Sequence, residues 1–264
     1  MRILVTVKFT PDLQSNRSFT DGTVTRTADD GSMNELDENA VEAALQLVEA
    51  AGEGEVYALT VGGADAVAAV RKALQLGVQH AIHVSDDAVA GSDVFGTAKV
   101  LAAAIRKVHE EAPLDLVITG MAALDGLTSM LPTALATELD WSQLTLASAL
   151  SVDTAAGTAT IDRHLPDAHE TISAPLPAVV SVTDEANKPR YPNFKLIMAA
   201  RSAPVTVWSL GDIGVDSVSV GAMAARSTVL EAAPRPPREN RVIVTDTGEG
   251  GKALAAFLVE RGLV

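Results

Sequence analysis

The sequence contains no cysteine, which removes disulfides, thiolate nucleophiles and cysteine metal sites in one step. Basic residues are in the minority: 20 Lys and Arg stand against 34 Asp and Glu, a formal net charge of -14. No basic cluster runs longer than a few residues, so a polyanion is a poor partner and nucleic acid is not expected. No apolar run approaches the ~20 residues of a membrane span, and direct membrane insertion is not expected. A strand that begins at Arg2 leaves no room for a signal or transit peptide, so a cytoplasmic location is expected. Catalytic patterns are equally scarce. Ser129, Ser142 and Ser181 lack a G-x-S-x-G elbow, and no spaced carboxylate pair stands out, so no side chain is expected to act as nucleophile or general acid. His80, His83, His109, His164 and His169 show no H-x-x-x-H pair; surface positions and no metal site are expected. Aromatics make up only 3% of the chain, which makes the closeness in sequence of Tyr191, Phe194 and Trp208 unusual.

What is present reads as alternating strands and helices. At 264 residues the chain can form one large α/β domain with a core that needs no staples, or one domain with an appended arm. Ile3 to Val7 is a short strand, and the polar stretch Lys8 to Arg26 after it, with a turn at Thr20-Asp21-Gly22, is a long loop. Ala40, Val41, Ala44, Leu45 and Val48 recur at helical spacing from Asp37 onward, with Asn34 or Asp37 as the cap. Strands follow at Glu55 to Val61, Ala81 to Val84 and Leu114 to Thr119, separated by helices at Ala64 to Leu76 and Asp93 to Glu110. This alternation predicts a doubly wound, mostly parallel sheet with helices on both faces. Leu144 to Asp153, Thr158 to Arg163 and His169 to Ser173 read as a small antiparallel excursion, turning at Ala155 to Gly157. Pro177 to Val182 and Pro204 to Leu210 complete a domain spanning 1–210. Residues 211–264, with Pro234-Arg-Pro-Pro-Arg238, a short strand at Val242 to Val244 and a helix from Lys252 to Arg261, read as a C-terminal arm. Within it, Gly248-Glu-Gly250-Gly-Lys-Ala253 formally fits a dinucleotide fingerprint, but no second strand or acidic residue follows. It reads better as a glycine-led helix start.

Function is expected where strands end. In open α/β sheets ligands gather at the carboxyl edge, on loops held by a rigid scaffold. Thr6, Asn34, Val61 and Gly120 lie at such ends, and a helix beginning near Ser129 would offer its N-terminus to phosphate. The same features read equally as turn chemistry and capping. A second stretch, LPAVVSVTDEANKPRYPNFKLIMAAR from Leu176 to Arg201, turns from buried strand to exposed loop to helix. Pro189 and Pro192 restrict the loop near Tyr191. It presents Tyr191, Phe194, Leu196, Ile197 and Met198, either to a partner or, as a core stripe, to the interior.

NKPRYPNFKLIMAAR resembles the signature of electron transfer flavoprotein β subunits, in which an N-x-P-R-[YF] loop leads into an I-M-x-A-[KR] helix. RILVTVK, MNELDENAVEAA, VRKALQLGVQHAIHV and LVITG extend the likeness from Arg2 to Arg201. The resemblance implies a Rossmann-like domain of the adenine nucleotide α-hydrolase type, with an arm whose terminal helix packs on an α subunit. It implies a buried AMP contacted by Thr6, by Asn34, Glu35, Leu36 and Asp37, by Val61, and by Gly120, Met121, Asp125, Ser129, Met130 and Leu131. An FAD held mainly by the α subunit would be covered here by Leu13 and Leu36. Tyr191, Phe194, Ile197 and Met198 would recognise flavin dehydrogenases of the acyl-CoA dehydrogenase type, as in fatty acid oxidation, and a membrane quinone oxidoreductase would reoxidise the flavin. By this likeness the chain is an electron carrier in an obligate heterodimer.

Two departures bear on these expectations. The family pattern G-x-Q-A-x-D followed by Q-[TV]-G is here Gly120-Met-Ala-Ala-Leu-Asp125 followed by Met130-Leu131-Pro132. The missing amide at Met130 costs the site a hydrogen bond, about 1 kcal/mol. Phe194 stands where relatives carry leucine, and burying it in a partner would contribute ~2 to 3 kcal/mol. Two other readings share the architecture. One is a bifurcating flavoprotein with a second FAD in place of AMP; the other is a stand-alone adenine-nucleotide-binding protein, which would be a colourless homodimer.

Overall fold

The computed structural model describes every residue except Asp21, Arg238, Asn240, Arg241, Val242 and Val244. The expected strand at Val242 to Val244 and the middle of the Thr20-Asp21-Gly22 turn therefore lie outside the described residues. The chain divides into two compact units, Met1–Ala232 and Ala233–Val264.

The first unit runs β1 (Arg2–Thr6), β2 (Phe9–Pro11), β3 (Phe19–Thr20), β4 (Thr23–Val24), β5 (Gly31–Met33), α1 (Glu35–Ala51), β6 (Glu55–Val61), α2 (Val67–Leu76), β7 (His80–Val84), α3 (Val94–Glu111) and β8 (Leu116–Gly120). It continues with α4 (Leu131–Leu139), β9 (Ser142–Ala147), β10 (Ala149–Asp153), β11 (Thr158–Leu165), β12 (Ala168–Pro175), β13 (Ala178–Val182), α5 (Phe194–Ser202) and β14 (Thr206–Trp208). Seven strands form one sheet in the order β14-β7-β6-β1-β8-β13-β9, every neighbour pairing parallel. Strands covered on both faces need apolar side chains at successive positions, and Ile3, Leu4 and Val5, like Leu116, Val117 and Ile118, are fully buried. Alternation sends Ile3, Val5 and Ile118 to the α1/α2 face and Leu4 and Val117 to the α3/α4 face, giving two hydrophobic layers. The doubly wound expectation holds.

Local signals explain the helix boundaries. The apolar stripe Ala40, Val41, Ala44 and Leu45 buries α1 against the sheet. Asp93 caps α3, its Oδ1 accepting the Phe95 and Gly96 amides at 3.0 Å each. Pro132 falls in the first turn of α4, where its fixed φ suits a helix start and its missing N–H costs nothing.

Three expectations need correction. The single strand expected over Leu144 to Asp153 is two: β9 joins the main sheet beside β13, and β10 opens the three-stranded antiparallel sheet β10-β11-β12. Leu146, with φ of 62°, lies within β9 where the register with β13 shifts between Val180 and Val182, and the run is interrupted at Ser148. No glycine marks the break. His83, expected at the surface, is buried in β7, with Nε2 3.0 Å from the Gly62 carbonyl. The core-stripe alternative for Phe194 and Met198 fails as well, since both are exposed.

In the second unit α6 (Gly250–Glu260) has no buried residue. Asp246 Oδ1 accepts the Gly248 and Gly250 amides at 2.7 and 2.8 Å. An acid thus occupies the place a phosphate would need, and this is a capped helix start rather than a dinucleotide site.

Candidate functional site

Three buried hydroxyls lie side by side at the carboxyl edge of the central strands. Thr119 of β8 is in register with Ser181 of β13, and Thr6 follows Val5, the partner of Ile118, on β1. All three are less than a tenth exposed. The Thr119 hydroxyl donates to the Gly120 carbonyl at 2.8 Å, and Ser181 Oγ accepts the Leu146 amide at 2.9 Å. Strand alternation puts the row on the α3/α4 face. Polar atoms are a cost in an apolar layer unless bonded, and Thr119 and Ser181 meet that cost through neighbouring backbone groups.

The first turn of α1 fastens the loop after β8. Asn34 occupies the N-cap position but its side chain makes no cap bond. Instead its Nδ2 donates to the Ala122 carbonyl at 2.9 Å and its Oδ1 accepts the Leu124 amide at 3.0 Å. Asp37 Oδ2 accepts the Lys8 amide at 2.8 Å. Gly120 is required by this closeness: a Cβ there would lie 2.5 Å from Asp37 Oδ1 and 2.8 Å from the Leu36 carbonyl oxygen. Burial pushes the Asp37 carboxyl up to about 7, more than the bonds it accepts from Asn34, Lys8 and Gly120 draw it down.

Asp125 ties the same loop to Lys8 and Arg26, in the stretch between β1 and α1. Its Oδ1 accepts from Lys8 Nζ at 2.8 Å, and its Oδ2 is held by the Arg26 guanidinium, with Nε at 2.9 Å. The carboxylate is fully covered while both cations reach solvent. Burial raises its pKa, but the two cations outweigh that and hold it below the usual carboxylate range. Lys8, Arg26, Thr119 and Ser181 are site residues that spacing did not suggest. Strand alternation could have found the two hydroxyls; nothing local could have found the cations.

From Gly126 to Met130 the loop is exposed. Leu127 and Ser129 both have φ of 51°, and Met130 follows in the right-handed region as the N-cap of α4. Ser129 and Met130 are thus a left-handed residue followed by a right-handed one, a pair that aims successive N–H groups the same way. The first amides of α4 add to them. Of the expected nucleotide residues, Thr6, Asn34, Asp37 and Gly120 are buried, Leu36, Val61, Met121, Asp125 and Leu131 partly covered, and Glu35, Ser129 and Met130 exposed. Leu13 is 52% exposed. Among the described residues no group of three or more His, Asp or Glu is arranged to hold a metal. A cavity of about 420 Å³ lined by Tyr57, His80, Lys107 and Trp208 opens at the opposite, amino end of the strands.

The loop between β13 and α5 carries Tyr191 and Phe194 at 90% and 78% exposure. Asn193 caps α5, its Oδ1 accepting the Leu196 amide at 2.9 Å. Ala200 is the buried residue of α5; Ile197 is half-buried, and Met198 faces solvent. Two exposed aromatic rings thus stand at a capped helix start.

The seven-stranded parallel sheet with helices on both faces makes the chain a Rossmann-like, doubly wound α/β protein, with two exposed aromatic rings on the loop after β13. Sequence comparison narrows this. The profile of the family described as electron transfer flavoprotein domain matches residues 21–213. The electron transfer flavoprotein subunit beta of Mycobacterium tuberculosis is 40% identical over 268 aligned positions, covering 99% of each chain, and that of Mycobacterium leprae is 39% identical with the same coverage. The caffeyl-CoA reductase-Etf complex subunit CarD of Acetobacterium woodii is 31% identical over the full length of both. The chain belongs to the electron transfer flavoprotein β subunit family. No helix of the described residues is long and apolar enough to cross a membrane.

Proposed function

We propose that this chain is the β half of a heterodimeric electron transfer flavoprotein. It takes electrons from flavin dehydrogenases of the acyl-CoA dehydrogenase type and passes them to a membrane quinone oxidoreductase. FAD, bound mainly by the α subunit, supplies the redox chemistry. Leu13, half exposed, and Leu36, beside the Asp37 network, give it apolar cover and move no proton. The observation that carries the reading is the exposure of Tyr191 and Phe194 on a fixed loop, in a chain where aromatics are only 3%.

AMP fits the edge crevice in kind. The hydroxyl of Thr6, the backbone of Gly120 to Leu131 and the hydroxyl of Ser129 would hold it, and Val61 would line its apolar side. Asn34, Asp37 and Asp125 serve it at one remove, since their side chains are already bonded to the surrounding loops. Residues 211–264 would form the arm toward the α subunit.

A second reading is favoured by the 31% identity to CarD and by the altered loop at Met130 to Pro132: a bifurcating flavoprotein with another FAD in the β site. Co-expression with an α subunit, followed by denaturation and mass measurement of the released nucleotides, separates the two. One FAD and one AMP per heterodimer supports the first, and two FAD the second. A colourless homodimer that needs no α subunit would refute both.

A further inference from the structure

The loop between β13 and α5 has almost no apolar anchor of its own: no residue from Asp184 to Asn193 is fully buried. Its shape rests on polar ties, and these converge on one side of α1. The Arg190 fork grips two carboxylates. Nε and Nη2 donate to Glu42 at 2.7 and 3.1 Å, and Nη1 and Nη2 donate to Glu49 at 2.6 and 3.0 Å. The Arg190 amide adds a bond to Glu42 at 3.1 Å. Three residues earlier, Asn187 and Asn39 exchange side-chain amide to backbone carbonyl bonds at 2.9 and 3.0 Å. Gln46 braces Glu42 at 2.8 Å.

Asn39, Glu42, Gln46 and Glu49 follow helical spacing, so they form one polar stripe beside the apolar stripe of α1. Helix α1 is already held in the core by Ala40, Val41, Ala44 and Leu45 and does not need the loop. The loop needs the helix. Glu42 is 5% exposed as a residue, yet stays charged: burial opposes this and the Arg190 bonds outweigh it. Charge-assisted, two-pronged bonds of this kind are short and directional. They fix the backbone next to Tyr191, whose ring, like that of Phe194, stays in solvent.

Resting on the docking role given above, we propose that Asn39, Glu42 and Glu49 are positioning residues for the partner dehydrogenase. They hold Asn187 and Arg190 so that Tyr191 and Phe194 meet an apolar socket already arranged. A loop that must be ordered on encounter gives up that ordering from its affinity, and a fastened one does not. The clamp therefore acts on the dehydrogenase's KM for the flavoprotein, while flavin content and kcat stay as they are.

The test uses the heterodimer as electron acceptor for an acyl-CoA dehydrogenase that reduces the wild type. Arg190→Gln and Phe194→Ala are each expected to raise KM roughly tenfold, with FAD content unchanged and kcat held within about twofold. Arg190→Lys, which keeps charge but loses the fork, should fall between. Arg190→Gln combined with Glu42→Gln should cost no more than the worse single change, because both break one clamp. Glu49→Gln, at a carboxylate more than half exposed, supplies a variant that leaves the buried end of the clamp intact, with a smaller rise in KM. If Phe194→Ala raises KM and Arg190→Gln does not, the clamp has no part in docking. Additive losses in the double variant, or a drop in bound FAD, overturn the proposal equally. An unchanged KM in Phe194→Ala sinks the docking reading beneath it.

Discussion

Replacing Asp37 with Asn removes a buried carboxyl whose pKa lies near neutrality. Asp37 is buried and its pKa is raised to about 7 from 3.8, chiefly by burial. Between those values the native state holds a proton that the unfolded chain has released, so stability declines as pH climbs from about 4 to about 7 and levels off above. Each pH unit inside the interval is worth about 1.4 kcal/mol, so moving from pH 5.5 to 7 costs about 2 kcal/mol. For a unit this size that corresponds to a fall in Tm of roughly 4 to 8 °C. Asn keeps an oxygen for the Lys8 amide and does not titrate, so Asp37→Asn should lack this component. The assay is thermal unfolding of wild type and variant, purified in the same assembly, at half-unit steps from pH 5 to 8. The difference in Tm between them should move in the variant's favour with rising pH. A difference that stays constant across the range would falsify the assignment, and would mean that the bonds to Asp37 outweigh its burial and keep it ionised throughout.

Gly120→Ala should destabilise by about 3 kcal/mol, since the new methyl overlaps Asp37 and backbone at Leu36; chemical denaturation measures it, and a neutral result would mean that β8 can slide. Asp125→Asn should cost about 2 kcal/mol and free the loop from Lys8 and Arg26, seen as faster amide exchange at residues 121–130 above pH 5; unchanged exchange would show that Asn34 suffices. The wild-type share of that stability is lost as pH falls through the depressed Asp125 pKa, the opposite direction from Asp37. Thr60→Val should raise stability by about 1 kcal/mol, because the Thr60 hydroxyl is buried without a partner; a loss on denaturation would reveal an unseen bond.

How far the chain could be read in advance depended on the range of the interactions. The strands and the apolar stripe of α1 are set by neighbours within a few positions, and their periodicity showed in Ile3 to Val5 and Ala40 to Leu45. The residues at the carboxyl edge are legible as a set of strand ends. Their bracing is not: Asp125 meets Lys8 and Arg26 across 117 and 99 positions, and no local pattern carries such a pairing. The break between β9 and β10 at Ser148 was hidden for a different reason, because neither it nor the left-handed Leu146 just before it carries the glycine that usually announces a turn in a strand. His83 looked like a surface residue because a carbonyl partner, Gly62, exists only once β6 and β7 are side by side. The polar stripe of α1 was visible as letters, but charged helix faces normally meet water.

Helix α1 carries two loads at once. Its start tethers the segment after β8 through Asn34, while Asp37 holds the Lys8 amide after β1, and its middle and end tether the segment after β13 through Asn39, Glu42 and Glu49. A graft that exchanged either segment for a relative's would inherit the wrong moorings unless the helix travelled with it. On the function proposed above, nucleotide preference and choice of dehydrogenase would be bound into one transplantable block, neither drifting far without the other.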